Sequence, residues 1–437
     1  MYHKVLDLHI HSKYSRACSR DLELPNIAKA CVTRGIDIVS TGDFTHPGWM
    51  QHIQEHLTED TQGLYKIQET NSKIQTRFIL GTEVACIKKH KGTTRRVHLL
   101  LFAPNLDVAE KFNKKLRDDG FNLDADGRPI LGLTCKDLLQ LMLEIDERMV
   151  MIPAHAWTPW FGIFGSKGGY NSLEEAFEEL TPHIFAIETG LSSDPLMNWR
   201  CSMLDHITLI SNSDAHSTAK LGREANVMAF ERQEHITYDE IMRIIREGDR
   251  NHVNPAAAGH VAGKFLQTIE FYPEEGKYHY DGHAACKFSC TPEETKKHGG
   301  VCPICKKPLV IGVMYRVSEL SDRSEEDAKR AERIPFVSLV PLPEILADVL
   351  GVGVQSKSVR AAYGQLIAMV GSEFFILLDA PLSDIERASS SIIAEGVSRV
   401  RQGAISVTPG YDGIFGRVKV FEDKEPRGAY QLGLQLE

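Results

Sequence analysis

The stretch Asp7-Leu8-His9-Ile10-His11 follows directly on a short apolar run near the N-terminus and constrains this chain more than any other segment. In an extended segment, residues two apart face the same side, so His9 and His11 present two imidazoles together with Asp7. The pattern recurs down the chain. Ile36–Thr41 runs into Asp43 and His46, Phe78–Gly81 into Glu83, Val97 into His98, and Val150–Ala154 into His155. Ile184–Ile187 ends at Glu188, and Ile207–Ser211 leads to Asp214 and His216. A single histidine at a strand end is most often a cap or a satisfied core group. Seven strand-like runs that each deliver a metal-capable side chain mark an active site.

Between Val5 and about Gly248 these runs alternate with segments of helical apolar spacing: Leu24–Arg34, Ala109–Arg117, Cys135–Glu147, Leu173–Leu180 and Tyr238–Glu247. Such alternation predicts an α/β fold with a parallel sheet. Ligands at successive strand ends favour closure into a barrel, where catalytic groups gather at one rim. Seven ligand-bearing strands suggest a (β/α)7 barrel rather than one of eight. Near residue 255 the pattern changes to an Ala- and Gly-rich stretch, then an aromatic, turn-rich one, then a cysteine cluster. Asp322–Arg333 is highly charged and reads as a solvated helix or linker. Beyond it the chain looks helical, with Ser383-x-x-Glu386 as a capping box ahead of a helix reaching Gly403. The expected division is a barrel over 1–255, a four-cysteine zinc module over 256–320 and a mainly helical region over 321–437.

With 437 residues the chain can bury a large core. A net charge of −9 argues against a protein that coats nucleic acid nonspecifically, though not against a local basic groove. No apolar run is long enough to span a bilayer, and the first strand starts too close to Met1 to leave room for a signal peptide. Nine cysteines without a disulfide-like pattern suit a reducing, cytoplasmic setting.

His9, His11, Glu83, His98, His155, Asp214 and His216 supply mixed imidazole and carboxylate ligands, which suit zinc, manganese or iron better than calcium or magnesium alone. They exceed what one ion takes, so a carboxylate such as Glu83 is expected to bridge two. Cys286-x3-Cys290 and Cys302-x2-Cys305 match a tetrahedral structural zinc site, against the plainer reading of buried or redox cysteines. Two loops bear on the substrate. Lys88, Lys89, Lys91, Arg95 and Arg96 lie between Glu83 and His98 and could neutralise phosphates, or simply keep a hairpin tip soluble. Trp157, Trp160, Phe161, Phe164 and Tyr170 follow His155 among glycines. Those glycines argue against a packed element and for stacking on bases, with a mobile lid as the alternative.

Through His9-x-His11, Asp43 with His46, Glu83, His98, His155 and Ser213-Asp214-Ala215-His216, the first part resembles the polymerase and histidinol phosphatase (PHP) superfamily. The resemblance implies a distorted seven-stranded β/α barrel holding two or three divalent ions (Zn, Mn or Mg). It places His9, His11, Glu83 and Asp214 on one ion, and Glu83, His98 and His155 on a second. His216 with Asp43 or His46 would serve a third. It also implies that Glu83, Asp214 and His216 carry the chemistry. Where many three-metal relatives have another His after the His-x-His pair, this chain has Ser12, Ser15 and Cys18. The barrel, aromatic loop, cysteine module and helical tail together resemble the endonuclease Q family, which nicks DNA 5′ to deaminated bases (uracil, hypoxanthine, xanthine) and abasic sites. In the tail, Val340–Glu344, Gly351-Val352-Gly353 and Ser356-Lys357-Ser358 add to that resemblance. Ser356 and Ser358, at a helix start, are candidates for a DNA phosphate. Damaged DNA is the expected partner, with a sliding clamp or helicase as a further candidate. The rival readings are a phosphatase of a small phosphate ester and a non-catalytic, helicase-associated DNA-binding protein.

Overall fold

The computed structural model describes residues 1–68, 74–253, 263–330 and 332–422. The expected boundary at 255/256 and the last fifteen or so residues of the expected helical region therefore lie outside the described residues.

Tyr2–Asp7 is central to the largest sheet. It pairs in parallel with Ile38–Ser40, which pairs in parallel with Arg77–Ile79. On its other side it pairs antiparallel with Ala225–Phe230. Next to Ala225–Phe230 lies Gly263–Glu270, and the short strand Phe336–Ser338 forms the outer edge. The segment just past the expected boundary thus adds a strand to the sheet that carries His9 and His11. Gly81–His90 and Thr93–Phe102 form one long antiparallel hairpin, extended by Val150–Pro153. Ala186–Glu188 and Thr208–Ile210 form a parallel pair. Among the described residues these ladders stand as separate sheets rather than one closed ring of pairings. Backbone bonds join them at the rim: Ala156 N to Glu188 O ties the hairpin sheet to the parallel pair, and His11 N to Ala215 O ties that pair to the main sheet.

The expected helices form where apolar spacing placed them. Leu24–Arg34 buries Leu24, Ile27, Ala28 and Cys31, and Cys135–Ile145 starts at a capping box of Thr134 and Asp137. One expected helix does not run through. Leu382–Ala388 stops, and Ser390 caps a second helix, Ser391–Arg401, by accepting from Ile393 N. Ser389 donates its hydroxyl back to Ile385 O while Ser390 accepts from the next helix, so the chain restarts there. The other tail helices are Leu342–Leu350, Lys357–Met369 and Glu373–Leu378, followed by a hairpin of Ser406–Thr408 with Arg417–Lys419. The tail docks on the barrel through Glu373, which is buried. Arg34 donates to it, as do Leu342 N at 2.9 Å and Tyr363 Oη at 2.7 Å. Among the described residues no helix is long and apolar enough to cross a membrane.

Candidate metal centre

Glu83 lies at the centre of the rim. It sits on the hairpin two residues before Ala85, which is opposite His98, so Glu83 and His98 are diagonal neighbours on one face. These two ligands come from inside an antiparallel hairpin, whereas the sequence suggested two strand ends. One oxygen of Glu83 faces His98 Nδ1 at 2.7 Å and His155 Nε2 at 3.0 Å. The other faces His11 Nε2 at 3.3 Å, His9 Nε2 at 3.7 Å and Arg128 Nη1 at 3.0 Å. A carboxylate divided between two pairs of imidazoles has the shape of a bridge.

Three groups of ligand atoms gather here, each within 4.8 Å of one another: His9, His11 and Glu83; Glu83, His98 and His155; His11, Asp214 and His216. The surroundings orient these rings. His9 Nδ1 lies 3.0 Å from Glu188, leaving its buried Nε2 without a hydrogen-bond partner. Glu188 also accepts from the backbone of His155 at 2.7 Å and from Asn212 at 2.9 Å. His11 Nδ1 meets Asp43 at 3.1 Å. A carboxylate behind each imidazole fixes its tautomer and aims the other nitrogen forward.

Asp43 is therefore a positioning group. Its other bonds go to Ser12 N, Ser12 Oγ and Ser15 Oγ at 2.7, 2.7 and 2.8 Å, and it joins none of the three groups. The serines that replace a further histidine hold this carboxylate. His46 likewise stays outside, with its ring stacked 4.1 Å from Tyr14. Asp43, His155 and Asp214 all have positive φ, at 47°, 29° and 46°. Left-handed backbone at three non-glycine positions is strain of the kind that collects at functional sites. Gly190 leaves the room for His155: a Cβ there would lie 2.5 Å from the His155 Cβ.

The electrostatics fit a cation. Burial disfavours charge on His9 and His11, yet Glu188 and Asp214 beside the first, and Asp43 and Asp214 beside the second, raise both well above the usual histidine range. Burial would lift Glu83, but His98 and Arg128 hold it well below the usual carboxylate range. Burial dominates at His98, lowering it to about 4 despite Glu83. The floor of the rim thus carries more carboxylate than its one arginine offsets. The unpartnered His9 Nε2 and the His₂-carboxylate sets suit a divalent ion such as zinc or manganese.

In the cysteine module the structure brings Cys286, Cys302 and Cys305 together with His283, all within 4.8 Å. Cys290 takes no part there; its thiol lies 3.2 Å from Thr295 Oγ1, in a small core with Cys302 and Leu309. The reason is register. In the ladder of Asp281–His283 with Phe288–Cys290, Cys290 pairs with Asp281, at the end away from His283. The signal was present in the spacing, since His283-x2-Cys286 repeats Cys302-x2-Cys305.

The expected DNA contacts divide sharply. Trp157, Phe164 and Tyr170 are buried in the core, with Trp157 Nε1 donating to Asn198 at 2.7 Å. Their glycines do the opposite of what the sequence suggested. They let the loop fold onto itself so tightly that a Cβ on Gly165 would lie 2.4 Å from Thr158 O. Phe161 stacks on His98 at 4.2 Å, and of these five only Trp160 projects, 44% exposed. Lys91 pairs with Glu178 at 2.9 Å, Arg95 with Glu175 at 2.6 Å, and Lys88 donates to Gly132 O at 2.8 Å. Lys89 is exposed and Arg96 half-buried. Ser356 caps its own helix, accepting from Val359 N at 3.2 Å, and its hydroxyl lies 3.1 Å from that of Ser358. Sequence reasoning missed Arg128, which follows no apolar run, and gave no role to Glu188, which does.

The family described as "MJ0043 C-terminal domain" matches residues 341–404. The uncharacterized protein YqxK of Bacillus subtilis is 27% identical over 94% of this chain and 98% of its own length. The uncharacterized protein MJ0043 of Methanocaldococcus jannaschii is 28% identical over 64% of this chain, which spans about a third (33%) of that longer protein. Among solved structures, the lesion-specific endonuclease PfuEndoQ from Pyrococcus furiosus superposes with a TM-score of 0.81 at 31% identity, covering 96% of this chain and 95% of that one. An endonuclease Q in complex with duplex DNA carrying an abasic lesion at its active site gives a TM-score of 0.80, also at 31% identity, over 96% and 97%. The likeness runs over almost the whole of both chains at 31% identity, and so the chain belongs to the endonuclease Q family.

Proposed function

We propose that this chain is a metal-dependent DNA-repair endonuclease that hydrolyses the phosphodiester 5′ to a deaminated base or an abasic site. The observation that carries the reading is the divided Glu83 carboxylate, with an imidazole pair on each oxygen. His9, His11, Glu83 and Asp214 would hold one divalent ion, and Glu83, His98 and His155 a second. His216, beside His11 and Asp214, would complete a third. Zinc, manganese and magnesium are the candidates. When bound, such ions neutralise charge on the phosphoryl oxygens and supply a nucleophile at neutral pH. The chain's own groups do the rest. Glu188 and Asp43 hold the His9 and His11 rings, and Arg128 adds a fixed cation beside Glu83. Asp214 and His216, the most exposed ligands, face incoming substrate.

Lesion choice is assigned to a cleft of about 340 Å³ beside the loop that follows His155. Trp160 and Tyr278 meet edge to face at 5.5 Å, Phe415 projects at the mouth, and Lys277 lies over both the Tyr278 and Phe415 rings. Aromatic walls with a cation suit a displaced base. Deaminated bases pair poorly and cost less to extrude. His283, Cys286, Cys302 and Cys305 would hold a structural zinc. The division into barrel, zinc module and helical region (1–255, 256–320 and 321–437) belongs to the same proposal, as does a cytoplasmic site of action. A sliding clamp or helicase partner is a separate proposal, which crosslinking in cells followed by copurification would test.

The deciding experiment incubates the metal-stripped chain, resupplied with Zn, Mn or Mg in turn, with duplexes carrying one central deoxyuridine, deoxyinosine or abasic site. A single nick 5′ to the lesion, absent from undamaged duplex, is expected. Cleavage of a small phosphate monoester alone would support the phosphatase reading. Binding without any cleavage would support the non-catalytic one.

A further inference from the structure

A cavity of about 390 Å³ lies where the helical tail meets the first part of the chain. The helix Leu24–Arg34, the loop Thr218–Arg223 and the tail segment from Pro341 to Tyr363 enclose it. Four cations line it, Arg34, Lys220, Arg223 and Arg360, against one carboxylate, Glu344. They are not equally engaged. Arg34 is spent on Glu373 and on Ala219 O. Lys220 stands 3.8 Å from Glu344, too far for a hydrogen bond, and its side chain is about half exposed (47%). Arg223 donates one amino group to Ser213 O at 3.0 Å, and its Nε is buried with no partner. Arg360 is exposed and makes no side-chain bond or ion pair among the described residues. Between the cations the wall is apolar, formed by Ala30, Pro341, Pro343 and Val359.

Lys220, Arg223 and Arg360 between apolar walls suit an organic anion with fixed negative charge, of which a phosphodiester flanked by sugar is one. Continuity decides which. The loop that ends in Lys220 and Arg223 begins at Asp214 and His216, and Arg223 holds the carbonyl of the residue before Asp214. The first turn of the helix Lys357–Met369 reaches the cavity through Val359 and Arg360, and the turn ahead of it through Val354 and Gln355. We propose that this cavity is a second DNA-binding site. In it Lys220, Arg223 and Arg360 hold a backbone phosphate of the strand as it leaves the metal centre. The inference rests on the endonuclease reading for its ligand and goes beyond it in assigning these three residues and this cavity. It makes the helical tail part of the DNA track rather than a separate cap.

The test measures binding, not cleavage. A fluorescein-labelled duplex with one central deoxyuridine, and its undamaged counterpart, are titrated in EDTA by fluorescence anisotropy at several salt concentrations. Arg360→Ala and Lys220→Ala change exposed or half-exposed side chains and should fold normally. Each should weaken binding to both duplexes by about three- to tenfold and lower the slope of log affinity against log salt by about one. Arg360→Lys should restore the slope. Unchanged slopes in both alanine variants would overturn the proposal. A free-nucleotide site would show differently: deoxyuridine monophosphate would raise the melting temperature of the wild type but not of the variants, while their DNA slopes matched the wild type. If the wild type binds DNA with the expected slope but nicks nothing, the endonuclease reading fails and the cavity assignment stands.

Discussion

At the scale of single residues, the molecule turns on how carboxylates are shared. Glu83 serves both imidazole pairs, so Glu83→Gln is expected to lower nicking by at least about a hundredfold while the melting temperature stays near wild type. An amide keeps the shape and one acceptor but loses the charge that would hold the proposed ions. A nicking assay beside a thermal melt checks this, and a Gln variant with near-normal turnover would remove Glu83 from its role. The two tryptophans of the neighbouring loop should separate just as cleanly. Trp157→Ala opens a void in the core and should cost about 3–5 kcal/mol of stability. Trp160→Ala should leave stability alone and weaken action on lesion-bearing duplex by a factor of about five to a hundred, the worth of one base stack. Urea melts and cleavage of a single-deoxyuridine duplex decide between them.

At the scale of elements, register decides which side chains meet. His283 faces Cys286 because the short ladder turns at Lys287, whose φ is 52°, and the same ladder carries Cys290 away. His283→Ala should therefore cost one zinc per chain by metal analysis, whereas Cys290→Ser should keep it and lose only some packing. Zinc loss in the second variant and not the first would reverse the assignment. This is also where the sequence was legible and where it was not. Helices such as Leu24–Arg34 announce themselves because apolar period and burial coincide. That His9, His11, Glu83, His98, His155, Asp214 and His216 would come together could be expected in advance because each follows an apolar run. Asp43 and Glu188 look like ligands from that rule alone. That they stand behind the ligands depends on which imidazole nitrogen they reach, which spacing does not encode. The aromatic loop misled because glycine permits tight packing as readily as mobility, and only the backbone path distinguishes the two.

For the molecule as a whole, the buried carboxyl of Glu270 is expected to make stability depend on pH. Glu270 is fully buried on the strand added to the main sheet, and burial raises it to about 7, against opposing bonds from Ser211 and Thr189 and with Asp194 adding to the rise. An unfolded chain releases that proton near pH 4.5, so the folded state binds it more tightly. Stability from this group is complete below about pH 4.5 and is lost as pH rises through about 7. Glu270→Gln should flatten that decline and be more stable than wild type at pH 8, by on the order of 2–3 kcal/mol. Melting temperatures of both proteins from pH 5 to 8 check it, and parallel curves would show that Glu270 does not titrate in this range.

Glu188 reaches both halves of the rim, through the His9 ring on one side and the His155 amide on the other. If each half holds an ion, filling one would stiffen the anchor of the other, so that a second ion would meet side chains already in place. Loading is then a linked event: activity of the stripped protein should rise more steeply than first order in added metal, and half-filled molecules should be scarce. Glu188→Gln, which weakens the anchor on both sides, should spread the same titration into a shallow curve. A wild-type curve that is already hyperbolic would mean the two halves fill independently. If the linkage holds, this enzyme answers metal scarcity as a switch: molecules are either fully armed or silent, and a chain with one ion does not linger on DNA doing half of its chemistry.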